Sequence, residues 1–169
     1  MGYMKHIIAT AGATIVVVAI CMAVASAKAD FSGTWILDKT NSEGLPPGMD
    51  QTMTVVQTGD KLSLETKVIT QQGEQAVSDS YMVDGKEVEF TPKAPGGQSG
   101  KGMRTAKWTA DGNGIEIKEN STFDGPDGPV NVQLTRTWTL AADGKTLKID
   151  INAEGPNGKQ AVKRTFTKK

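Results

Sequence analysis

The sequence predicts an all-β fold: an antiparallel up-and-down meander of about eight to ten short strands closed as a barrel. Three observations predict it. Apolar and polar residues alternate with a period of two from residue 31 to the end, and no stretch there has a helical period. Gly-containing turns punctuate the alternation, with no segment between strands suited to a crossover helix. Aromatic residues make up only 5% of the chain and hydrophobic residues 37%, so the core is thin, as in a sheet with one wet face.

The first residues are read as a targeting segment and kept out of the fold. Lys5 and His6 give a positive start, residues 7–27 carry no charge, and Ala25-Ser26-Ala27 and Ala27-Lys28-Ala29 offer A-x-A sites. That is the layout of a secretory signal peptide over 1–27, cleaved after Ala27 or Ala29, ahead of a single barrel domain over 30–169. The uncharged run is also long enough to span a bilayer as a retained anchor, although the A-x-A site favours cleavage. Ile20 before Cys21 argues against a lipoprotein signal. The expected location is periplasmic or secreted, with no membrane span after cleavage.

Removing that segment takes away the only Cys (Cys21) and the only His (His6). A mature chain then has no Cys or His nucleophile, no His base, and no thiolate or imidazole metal site. No acid pair has recognisable catalytic spacing, so neither an enzyme, a cofactor nor a metal is expected. No disulfide can form, and the fold must stand on its core although the chain is exported. Loss of Lys5 takes 19 basic side chains to 18, against 19 acidic ones. This near-neutral balance gives no reason to expect a nucleic acid or an anionic membrane as partner.

The strands are placed in order as follows. Residues 31–38 carry the Phe-Ser-Gly-Thr-Trp opening, and 51–58 lead to the tight turn Gly59-Asp60. In 61–70, Leu62, Leu64 and Val68 oppose Lys61, Glu65 and Lys67. In 76–83, Val77, Asp79, Tyr81 and Val83 share a face; in 86–91, Val88 and Phe90 oppose Glu87 and Glu89. In 102–110 the inner face carries Arg104, Ala106 and Trp108, and in 115–123 Ile115, Ile117, Glu119 and Phe123. In 130–141 it carries Leu134, Arg136, Trp138 and Leu140, opposite an outward Thr135, Thr137, Thr139 ladder that strand preference explains. Residues 146–153 place Leu147, Ile149 and Ile151 inward, and 159–167 place Val162, Arg164 and Phe166 inward.

The turns fall into two sets. Gly59-Asp60 and the Asp-Gly and Asn-Gly sequences at 84–86, 111–114 and 143–145 suit short hairpins, because they tolerate positive φ. The segments 39–50, 71–75, 92–100 and 124–129 read as longer loops, and 155–158 as a short Gly/Pro-rich one. In a meander the two sets lie at opposite ends. One end is thus closed, and the end with the long loops is the expected entrance.

The arginines carry the functional reading. Arg104, Arg136 and Arg164 are the only three, against sixteen lysines that mostly face outward, and all three fall on inward faces. A planar guanidinium stacks on rings and grips carboxylates, and a buried one needs a ring, an acid or an anion. Glu119 and Asp79 are inward acids, so an internal network of Arg104, Glu119 and Arg136 stands beside a role as ligand anchor. Chain direction places Arg164 against Trp35 as a clasp, Arg104 near the entrance and Arg136 midway.

The Phe31–Trp35 opening resembles the Gly-x-Trp start of the lipocalin and fatty-acid-binding (calycin) barrels. The ending Val162–Lys169 resembles the last strand of the fatty-acid-binding proteins, with Arg164 and Phe166 at the Arg-x-aromatic positions. Phe166 stands where a Tyr is usual, and Lys39–Asp50 is too short and too rich in Pro and Gly for the two helices of those proteins. The resemblance implies a lipocalin-like barrel of bacterial exported type; the structural clasp expected from chain direction comprises Gly33, Trp35 and Arg164. The resulting expectation is a binding protein for a small hydrophobic or amphipathic, in particular anionic, ligand. Arg104 and Arg136 would meet the head group, and Trp108, Trp138, Tyr81 and Phe90 would line the pocket. The alternative is a filled barrel that binds or inhibits another protein through its loops 39–50 and 92–102.

Overall fold

The structure, a computed structural model, describes residues 28–94, 97–126 and 128–169. The expected signal segment, with Lys5, His6, Cys21 and Ala27, lies outside these residues. Ten strands follow one another: β1 (Gly33–Leu37), β2 (Asp50–Thr58), β3 (Lys61–Thr70), β4 (Gly73–Met82), β5 (Glu87–Phe90), β6 (Lys101–Trp108), β7 (Gly114–Gly125), β8 (Gly128–Leu140), β9 (Thr146–Gly155) and β10 (Gly158–Lys168). All neighbours pair antiparallel in one curled sheet of order β4-β3-β2-β1-β10-β9-β8-β7-β6-β5. The meander is therefore continuous, with β1 and β10 joined through Trp35↔Lys168 and Leu37↔Phe166. No helix among the described residues is long and apolar enough to cross a membrane.

The connections differ from expectation at one end. Thr70 pairs with Gly73 and Gly125 with Gly128, so two of the four expected longer loops are two-residue hairpins, while Gly155 pairs with Gly158 across the short connection expected there. Their tips are polar and carry no alternation, yet the backbone ladder continues through them without help from side chains. Only 38–49 and 91–100 are extended loops, and both lie at the same end of the sheet.

The sheet has two free edges, β4 and β5, which complete the ring without a ladder between them. They meet at the tight-turn end, where the Val83 amide donates to Asp60 O and the Gly85 amide to Ala106 O. Above that point β4 diverges, and residues 73–78 are exposed on both faces. The upper parts of the two edges are thus open to solvent.

The core fills one half of the barrel. Trp35, Leu37, Met53, Val55, Leu62, Leu64, Ile115, Ile117, Trp138, Leu147, Ile149 and Phe166 are buried, and all lie near the tight turns. Phe31 closes the floor: it is fully buried, lies 6.1 Å from Trp108 in a stacked arrangement, and meets Trp138 edge-on at 5.9 Å. The Trp35 indole N–H donates to Phe31 O at 2.8 Å, which fixes the plug to β1. Residues just before it are tied in as well, since Lys28 pairs with Asp60 and the Ala29 amide donates to Gly112 O.

A charged layer across the barrel

Halfway along the barrel, above the apolar plug, five side chains from four strands converge. β6 carries Arg104, directly opposite Glu119 of β7; Arg136 projects from β8, and Asp79 and Tyr81 from β4. Alternation puts each of them on the inner face beside apolar neighbours, which is why the sheet buries them. Arg104 is 9% exposed and Glu119 5%.

Arg104 is fully engaged. Its Nη1 donates to Asp79 Oδ1 at 2.7 Å and to Ser80 O at 3.3 Å, and its Nη2 to Asp79 Oδ2 at 3.3 Å. Its Nε lies 2.7 Å from Glu119 Oε1, but off the N–H axis, so this contact is Coulombic rather than a well-aligned hydrogen bond. The guanidinium is held between the rings of Phe90, at 4.1 Å, and Tyr81, at 4.5 Å. Burial disfavours the Arg104 charge, yet Asp79, with Tyr81 and Glu119, outweighs it and raises the pKa above the usual arginine value.

Glu119 is shared. Its second oxygen accepts from Arg136 Nη1 at 2.9 Å, and the same nitrogen stands 3.5 Å from the Tyr81 hydroxyl. The Tyr81 hydroxyl donates to Asp79 Oδ2 at 2.8 Å. Burial pushes the Tyr81 phenol well above its ordinary pKa; Arg136 and Arg104 oppose this, and Asp79 and Glu119 reinforce it. Two arginines and two carboxylates leave the layer neutral. The Nε and Nη2 of Arg136 have no protein hydrogen bond among the described residues, and its side chain is 28% exposed. Arg136 is therefore, among the described residues, the cation of the layer with nitrogens that meet no acid.

Above the layer the inner surface is half-exposed and mixed, with Thr66, Val68, Phe123, Val132, Leu134, Ile151 and Val162. Two depressions of about 290 and 550 Å³ lie elsewhere, on the outer surface of β8–β10 and where loop 38–43 meets β9 and β10. Neither includes a residue of the charged layer. Among the described residues no group of His, Cys, Asp and Glu is arranged to hold a metal ion.

Several expected sites change place. Trp108 and Trp138 do not line a pocket: they pack on Phe31 in the plug, and the Trp108 indole N–H donates to Asp60 Oδ1 at 3.0 Å. Lys28 and then Trp108 hold the Asp60 carboxyl below its usual range. Arg104 sits at mid-height rather than at the entrance, because it pairs with the centre of β7. Arg164 does not clasp Trp35. The register puts Lys168 opposite Trp35, and the Lys168 ammonium lies 5.2 Å from the indole centroid. Gly33, at φ +139°, leaves the space that the Lys168 chain occupies: an added Cβ would lie 2.5 Å from its Cε. Arg164 stands about a turn of hairpin away and donates to Glu43 O at 2.6 Å, with burial alone lowering its pKa. Asp79 as the partner of Arg104 was missed, because β4 and β6 come together only when the sheet curls shut.

No family model matches the chain, and no curated protein matches it in sequence. Among solved structures it is similar to the zebrafish ileal bile acid-binding protein complexed with cholic acid, at 19% identity and a TM-score of 0.50, over 82% of this chain and 98% of that one. It is also similar to secretory abundant heat soluble protein 4 from Ramazzottius varieornatus, at 14% identity and a TM-score of 0.47, over 82% of this chain and 94% of that one. The first likeness shows the fold alone: this chain is a ten-stranded, calycin-like β-barrel.

Proposed function

We propose that this chain is an exported binding protein that holds a small amphipathic anion in the open half of its barrel, with the acidic group on Arg136. The observation that carries the reading is the pair of Arg136 nitrogens without a protein hydrogen bond among the described residues, on a 28% exposed side chain within an otherwise neutral charged layer. An apolar concavity with one convergent donor is the usual chemistry of such sites. The shared fold with a bile acid-binding protein supports the reading. Arg104 is a strut in this account, since its nitrogens already face Asp79 and Glu119. The role is binding rather than catalysis, and the place of work is periplasmic or extracellular.

Calorimetric titration with cholate and oleate tests the site. Arg136→Met is expected to weaken binding about tenfold or more, the worth of one hydrogen bond to a charged group. Unchanged affinity would remove Arg136 from the site. Absence of any uptake by the wild-type chain would leave the filled-barrel reading, with loops 39–50 and 92–102 as a protein-contact surface. Cell fractionation with intact-mass analysis tests export: the expected product starts at Lys28 or Asp30.

A further inference from the structure

The rim and the side of the barrel are not equally open. Loop 38–49 is tied across β10: the Asp38 amide donates to Thr165 O, the Glu43 amide to Lys163 O, Thr165 Oγ1 to Asn41 O, and Arg164 to Glu43 O. Leu45 and Met49 of this loop pack against the core, and Gly44 (φ +62°) approaches so closely that an added Cβ would lie 2.6 Å from Val162 Cγ1. Loop 91–100 is tied to β7 through Gln98 Nε2, which donates to Asp124 O at 2.6 Å. Both extended loops are thus fastened down on the β10 and β7 sides.

The gap between the β4 and β5 edges has no such ties among the described residues. Val77 of β4 and Val88 of β5 lie on the inner face by register, opposite Thr66 and Arg104, yet they are 52% and 47% exposed. Inner-face valines on two facing edges are exposed to this degree only because no strand stands between them. The lower end of the gap is bridged by Asp79–Arg104, and Tyr81 beside it stands 3.5 Å from Arg136 Nη1. The lower end of the gap therefore borders the charged layer to which Arg136 belongs.

Resting on the anion-binding reading above, we infer that the slot between β4 and β5 is the way in for the ligand and the seat of its apolar body. The occupant is an amphipathic monoanion: the neutral layer leaves Arg136 with nitrogens that meet no acid, and the slot lips offer the apolar Val77, Val88 and Phe90. The acid meets Arg136 while the apolar part lies between the lips.

Stopped-flow fluorescence with 1-anilinonaphthalene-8-sulfonate, together with cholate competition, tests the slot. Val77→Trp and Val88→Trp are each expected to slow association about tenfold, while Ile69→Trp, on the outer face of β3, leaves it unchanged. A wild-type rate in both slot variants, or slowing in Leu45→Trp instead, would overturn the slot and leave the anion site standing. No uptake of either probe by the wild-type chain would overturn both. A second readout does not depend on any variant: hydrogen exchange of residues 73–82 should slow several-fold on saturation with cholate. No change there, with slowing in 38–49 instead, also overturns the inference.

Discussion

At the scale of single residues, Glu119 is the keystone of the charged layer because, among the described residues, it is the acid that pairs with both arginines. Glu119→Gln leaves Arg136 without an acid and Arg104 with only Asp79. The expected cost is about 3 kcal/mol in urea unfolding, in the range for breaking a buried pair. Arg104→Met is expected to cost only about 1 kcal/mol, since Met packs between the Tyr81 and Phe90 rings, Glu119 keeps Arg136, and Asp79 reaches water. A larger loss for Arg104→Met than for Glu119→Gln would refute this order. Tyr81 gives a pH signature of known sign. Its folded pKa is raised by burial above the unfolded value of about 10, so its contribution is present below that pH and is lost as pH rises further. Above about pH 10 the wild type should lose stability more steeply than Tyr81→Phe, as read by melting temperature; parallel curves would remove Tyr81 as the cause. Inward arginines and acids were legible from alternation alone. Their pairing was legible only in part, since Arg104–Glu119 follows from one hairpin but Arg104–Asp79 depends on the curl of the whole sheet.

Among the elements, the floor plug decides how the barrel is closed. Phe31 lies before β1 and outside every ladder, yet it fills the space between Trp108 and Trp138 and accepts the Trp35 indole hydrogen bond on its carbonyl. Phe31→Ala should cost about 4 kcal/mol, as expected for emptying a fully buried aromatic site, and should raise the exposure of Trp108 and Trp138 to iodide quenching. A loss under about 1 kcal/mol would mean that the floor is held by Trp35 and Lys168 without it. The strands themselves were legible to within about three residues, because a half-buried strand writes its face into the sequence with a period of two. The hairpin tips were not: at Gly73–Gln75 and Gly125–Gly128 pairing is carried by the backbone, and backbone ladders leave no apolar pattern. The clasp was misassigned for a related reason. Arg164, Phe166 and Lys168 all share the inner face, and only the register, Trp35↔Lys168, says which one reaches the indole.

Across the whole molecule, stability is divided between two halves of the same sheet. Leu62 and Leu64 of β3, Ile115 and Ile117 of β7, and Leu147 and Ile149 of β9 are buried at the plugged end, so their amides open only when the barrel unfolds. Residues 73–78 belong to the same continuous ladder, but they pair with β3 alone, expose both faces, and pack against nothing on their free side. Their opening exposes little apolar surface, and its free energy is correspondingly small. In native-state hydrogen exchange, peptides from 61–65, 114–118 and 146–150 should exchange together at the slowest rate. Peptides from 73–78 should exchange at least about a hundredfold faster. This gradient is the physical basis of a half-filled barrel that is rigid where it is plugged and yielding beside the slot. Uniform protection from Lys61 to Met82 would mean that β3 and β4 open only with the core, and a ligand would then have to enter against the full stability of the fold.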